Sequence, residues 1–97
     1  MKYVIETPQD VRIIALQMLK NGYVPNTLGQ LMQKFRENST GAVSIIPKTI
    51  QELYKLGLIE RKIFQNEEFD EYGFRTKPEI GIYVITDLGE QYLKEHL

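Results

Sequence analysis

Leu53-Tyr54-Lys55-Leu56-Gly57-Leu58-Ile59-Glu60-Arg61 is the stretch on which the architecture turns. Upstream of it Ile46, Ile50 and Leu53 recur at helical spacing, and Gly57 is the residue type that most readily takes the left-handed conformation at a helix end. Leu58 and Ile59 begin an extended run at once, and Glu60 and Arg61 turn it charged. A junction of the opposite sense stands in Tyr83-Val84-Ile85-Thr86-Asp87-Leu88-Gly89, where a β-branched, aromatic strand runs into a helix with Thr86 as its N-cap. Residues Leu58 to Gln65 and Ile80 to Ile85 read as the two strands of a long hairpin held between two helices.

Working outward, Thr7-Pro8-Gln9-Asp10 opens a first helix, with Thr7 as N-cap, Pro8 at the first turn and Asp10 at the positive end of the dipole. Val11, Ile14, Ala15, Met18 and Leu19 form its apolar stripe, and Asn21-Gly22 stops it. Tyr23-Val24 before Pro25 reads as a short edge strand. Asn26 or Thr27 caps the next helix, and Thr27-Leu28-Gly29-Gln30 matches a capping box. Its stripe is Leu28, Leu31, Met32 and Phe35. Gly29 costs about 1 kcal/mol relative to Ala in a helix interior, which points to close packing there.

Arg36 to Gly41 reads as a loop, and Ser44 caps a third helix over residues 44–57 with Pro47 in its first turn. A last helix runs from Asp87 toward Leu97 with Leu88, Tyr92 and Leu93 inward. Residues 1–6 form a short extended arm. The expected fold is a single α+β domain over residues 1–97: helix, short strand, helix, helix, two-stranded hairpin, C-terminal helix. A hairpin with one apolar side buries it by packing on the helices, and the Tyr23-Val24 strand pairs with it to make three.

Composition removes whole classes of function. The chain has no Cys, so disulfides, thiol chemistry and Cys-based metal sites are out. Its N-terminus lacks the pattern of a signal peptide and no apolar run is long enough to span a bilayer, so a cytoplasmic location is expected. His96 is the only histidine and lies beside the C-terminus, where helices fray. No phosphate-binding glycine loop, Ser/His/Asp set or metal spacing is present. The expectation is therefore a non-enzyme without cofactor or metal.

The two junctions, in this order of elements, resemble a winged helix-turn-helix domain of the MarR/PadR type. Such domains end a recognition helix in a Gly-Leu-Ile step, here Gly57-Leu58-Ile59, and return from the wing through a Tyr-x-Leu-Thr-x-x-Gly segment, here Tyr83-Val84-Ile85-Thr86-Asp87-Leu88-Gly89. The resemblance covers roughly residues 8–95. It implies sequence-specific binding of double-stranded DNA by a small transcriptional regulator whose third helix enters the major groove.

If Ile46, Ile50 and Leu53 face the core, Lys48, Gln51 and Lys55 face outward. Ser44, Lys48, Thr49, Gln51 and Lys55 are thus the expected contacts to bases and phosphates, and Arg61, Lys62, Arg75 and Lys77 those to the flanking backbone. The same charged helix face would equally suit plain solvation.

Charge is unevenly spread. Net charge is −1, yet residues 44–64 carry four cations against two acids, while residues 66–79 carry five acids against two cations. Glu67, Glu68, Asp70 and Glu71 repel phosphate and must point away from DNA or toward a basic protein. Phe64, Phe69, Tyr72 and Phe74 lie among them and are expected to fold back onto the hairpin, with anchoring of a protein partner as the alternative. Apolar residues at both ends (Tyr3, Val4 and Ile5; Tyr92, Leu93 and Leu97) point to a homodimer built from the N-terminal arm and the last helix. Two alternatives stand beside the regulator. One is a winged-helix protein-interaction module with an acidic, aromatic wing, and the other a plasmid or phage replication or segregation factor.

Overall fold

The computed structural model describes residues 2–64, 69–74 and 80–97. Helix α1 (Pro8–Lys20) starts where side-chain chemistry dictates. Thr7 is extended and its hydroxyl accepts the Asp10 N–H, while the Asp10 carboxylate accepts the N–H groups of Glu6 and Thr7, both at 2.9 Å. This reciprocal box satisfies donors that a helix start otherwise leaves open. The two backbone hydrogen bonds, from Thr7 and then Glu6, hold the Asp10 carboxyl below the ordinary aspartate range. The buried face is Val11, Ala15, Leu16 and Leu19, with Ile14 and Met18 only partly covered. Leu16 falls outside the stripe expected from spacing because α1 is covered from several sides, by α3 (Ile46–Lys55), by α4 (Asp87–Glu95) and by strand β4 (Ile80–Ile85).

Helix α2 (Leu28–Glu37) is capped by Thr27, whose hydroxyl accepts the Gln30 N–H at 3.0 Å. The return arm of the expected capping box goes elsewhere. Gln30 Oε1 accepts from Asn26 N–H at 2.7 Å, one residue before the cap. Gly29 is exposed, and a Cβ there would meet only Thr27 Oγ1, at 3.7 Å. The close packing expected at Gly29 is absent. Arg36 and Glu37 continue the helix rather than starting a loop.

The third strand is not where the sequence suggested. Tyr23-Val24 forms no strand; instead the N-terminal arm forms β1 (Tyr3–Ile5) and pairs in parallel with β2 (Ser39–Gly41), drawn from the expected loop. Two features decide this. Gly41 (φ 90°) brings its backbone so close to Ile5 that a Cβ would strike the Ile5 carbonyl, and the Ile5 side chain is fully buried. Pro25, following Val24, has no N–H to return a ladder bond. The segment still touches β4, through Tyr83 N–H to Pro25 O at 2.9 Å and Asn26 Nδ2 to Gly81 O at 3.0 Å.

A single 3₁₀ turn (Val43–Ile45) leads into α3. Helix α3 ends in a Schellman motif: Leu58 N–H reaches Leu53 O at 3.0 Å, Gly57 N–H reaches Tyr54 O at 3.1 Å, and Gly57 has φ 77°. Strand β3 (Ile59–Phe64) then pairs antiparallel with β4, from Ile59 opposite Ile85 to Phe64 opposite Ile80. Thr86 closes the unit. Its N–H donates to Leu58 O at 3.1 Å, its hydroxyl donates to Gly57 O at 2.6 Å, and that same hydroxyl accepts the Gly89 N–H at 3.0 Å.

Gly89 is buried against Leu58, whose carbonyl oxygen a Cβ would strike, with Ile85 Cγ1 at 2.8 Å. Gly89 thus occupies the inward position of the first turn of α4. Leu88, expected inward, is 52% exposed, and Leu93 carries the burial. Among the described residues the fold is α+β, four α-helices with a two-stranded antiparallel sheet and a small parallel pair. No helix among them is long and apolar enough to cross a membrane.

Three outcomes test this account. Gly89→Ala should destabilise the protein by about 1–3 kcal/mol through backbone overpacking, seen as a lowered urea midpoint. Gly29→Ala should raise stability by roughly 0.5–1 kcal/mol, because the site is open and helical. The native Asp10 pKa is depressed, so its contribution is present above the unfolded-state pKa and lost as pH falls through the lower native value. Asp10→Asn should accordingly flatten the acid side of the stability–pH curve measured by chemical denaturation.

Candidate nucleic-acid interface

Helix α3 has two distinct faces. Ile46, Thr49, Ile50 and Leu53 are buried, and Pro47, Lys48, Gln51, Tyr54 and Lys55 are exposed. Lys48, Gln51 and Lys55 stand at i, i+3 and i+7, a row of about 10 Å along one side. Glu52, the acid of the same helix, is partly covered and lies 3.7 Å from Arg12 of α1. Its charge is directed sideways and the exposed row stays cationic.

Two expected features of this helix require correction. Thr49 is 3% exposed and its hydroxyl donates to Ile45 O at 2.9 Å, so it faces the core and cannot meet a base edge. It lies three residues after Ile46 and four before Leu53, inside the apolar stripe. Ser44 does not cap α3. The N-cap is Ile45, with no side-chain bond, because the 3₁₀ turn already engages N–H groups at this end: Ile45 N–H to Ala42 O at 3.3 Å and Ile46 N–H to Val43 O. Ser44 is exposed beside the helix start and its hydroxyl stays available to a ligand.

Strand β3 separates its two cations. Directly paired residues share a face of a sheet, and adjacent residues point to opposite faces. Arg61 lies opposite Tyr83, whose ring meets Tyr54 of α3 edge-on at 5.8 Å. Arg61 thus shares the face that α3 approaches. Lys62 lies opposite Ile82 and points the other way. Of the remaining expected contacts, Arg75 and Lys77 lie outside the described residues, as do Glu67, Glu68, Glu79 and the Lys77-Pro78 turn signal.

The described part of the hairpin tip, residues 69–74, is a compact turn. Asp70 Oδ1 accepts the N–H groups of Tyr72 at 2.9 Å and Phe74 at 3.0 Å, Asp70 N–H donates to Phe74 O at 2.8 Å, and Gly73 has φ 85°. The aromatic residues do not fold back as expected. Phe64 and Phe69 are exposed, Phe74 is 70% exposed and Tyr72 77%. Among the described residues nothing forms a second layer over this part of the hairpin.

Two contributors were missed from sequence. Tyr54 joins α3 to β4 through its ring, and its position just off the charged row gave no sign of that. Arg36 is on the last turn of α2, where with Met32, Gln33, Ile46 and Pro47 it lines a surface cavity of about 230 Å³. It adds a cation near the start of α3. Carrying the helical spacing on from Met32 by four residues would have found it.

β1 pairs with β2 within the chain, and Tyr3 packs on Phe35 with ring centroids 6.0 Å apart. On α4, His96 stacks on Tyr92 at 4.1 Å and its Nδ1 lies 2.8 Å from Tyr92 O, a local helix-end contact. No protein family, no curated protein and no solved structure matches this chain.

Proposed function

We propose that this chain is a winged-helix protein of the MarR/PadR-like type that binds double-stranded DNA sequence-specifically, as a small transcriptional regulator. Helix α3 enters the major groove and the β3–β4 hairpin is the wing. The observation that supports this reading is the division of α3, with Lys48, Gln51 and Lys55 in one exposed row opposite a fully buried apolar face. Lysine and glutamine there offer phosphate neutralisation and base-edge hydrogen bonding side by side. Arg36 and Ser44 flank the start of the row, and Arg61 continues the positive surface onto the hairpin. Thr49 and Lys62 are not part of this contact surface.

A second reading rests on the wing tip. Exposed Phe69, Tyr72 and Phe74 around a turn stapled by Asp70 are suited to a protein partner, and the net acidity of residues 66–79 selects against phosphate. One titration distinguishes the two. Binding to duplex DNA, followed by fluorescence anisotropy against salt, should show a steep log–log slope. Lys48→Ala combined with Lys55→Ala should reduce that slope by roughly 1.8, two phosphates' worth, and weaken binding at every salt concentration. An unchanged slope in the double variant would remove α3 as the DNA-facing helix. Absence of salt-dependent binding by the unaltered protein would favour the interaction module.

A further inference from the structure

We infer that Gly81 is a positioning residue for Arg61: it is a gap in the hairpin face that seats the guanidinium for contact with a DNA phosphate. This rests on the DNA-binding reading above. The geometry begins with the pairing of Arg61 and Tyr83 across the two strands. An arginine would ordinarily cross directly over its partner, but the Tyr83 ring is engaged edge-on by Tyr54. Arg61 leans diagonally instead, two residues along β4, about 7 Å toward the wing tip. The position it reaches carries no side chain. A Cβ on Gly81 would stand 2.5 Å from Arg61 Nη2, 2.7 Å from Nε and 2.8 Å from Cζ, inside the volume the guanidinium fills.

The seat is itself held in place. Asn26 Nδ2 donates to the Gly81 carbonyl at 3.0 Å, and two residues on Tyr83 N–H donates to Pro25 O at 2.9 Å. Both bonds come from the loop that leads into α2, so the backbone under Arg61 is tied to the helical body. A planar fork fixed on a rigid backbone loses less freedom when it takes a phosphate in bidentate fashion than a free arginine does. The ligand is a phosphate of the DNA backbone flanking the groove that α3 occupies. Gly81 has no positive φ, so the absence of a Cβ here serves the neighbouring side chain and not the backbone conformation.

Gly81→Ala is a mild change for the fold, since only the far end of a flexible side chain must move. The test uses the full-length protein and a fluorescein-labelled random-sequence duplex, with anisotropy measured across a salt series. Gly81→Ala should weaken binding roughly tenfold and lower the salt slope by about 0.9, as Arg61→Ala does. Gly81→Ala added to Arg61→Ala should cause no further loss, because the two residues act as one unit. Arg61→Lys should keep most of the slope and lose affinity. Additive effects, or an unchanged slope in Gly81→Ala with its thermal midpoint intact, would overturn the positioning role while leaving DNA binding standing. Failure of the unaltered protein to bind the duplex would overturn both.

Discussion

The Thr86 hydroxyl joins the two halves of the structure. It donates to the Gly57 carbonyl, just past the end of α3, and accepts the Gly89 N–H, one of the groups that the start of α4 leaves open. The Thr86 N–H adds a bond to Leu58 O. Two of these bonds, to Gly57 O and Leu58 O, therefore fasten the beginning of the hairpin to its end. Gly89 makes this approach possible, because any side chain there would collide with the Leu58 carbonyl. The strand register from Ile59–Ile85 outward starts from this clasp. So does the direction in which the hairpin leaves the helices.

The clasp also determines how α3 and the hairpin share a surface. The Schellman turn at Gly57 reverses the chain directly into β3, so the C-terminal end of α3 and the root of the hairpin are neighbours. Tyr54 on Tyr83 covers that seam. Lys55 follows Tyr54 on one side of the seam and Arg61 lies opposite Tyr83 on the other. The strand alternation that brings Arg61 to this surface sends Lys62 away from it.

Beyond its root the hairpin changes character. The extents of the molecule, 55 × 27 × 23 Å, reflect its projection from a helical body in which the core is concentrated. At the tip, Asp70 Oδ1 accepts two backbone N–H groups, so its carboxylate shapes the turn as well as contributing charge. Exposed aromatics and acids there differ in kind from the lysines and glutamine of α3.

Element boundaries close to strong local signals were legible in the sequence. Thr7, Thr27 and Thr86 cap three helices as side-chain chemistry requires, Gly57 ends a fourth, and β4 runs from Ile80 to Ile85 as its β-branched composition indicates. The Lys48–Gln51–Lys55 row was legible for the same reason, since helical spacing with an apolar opposite face leaves few choices. Other features depended on contacts between segments distant in the chain, and periodicity carries no record of those. Pairing of Tyr3–Ile5 with Ser39–Gly41 needed the fit of Gly41 against Ile5. Thr49 turned inward because a hydroxyl can satisfy itself on the Ile45 carbonyl and so sit in an apolar stripe. Leu88 turned outward because the close approach of Gly89 to Leu58 determines the rotation of α4. Local propensity and capping, which act within a few residues, were determined by the sequence alone. Which strands pair, which cations share a face and where Arg61 rests were decided by the tertiary structure, because each depends on backbone approach between segments that only the folded chain brings together.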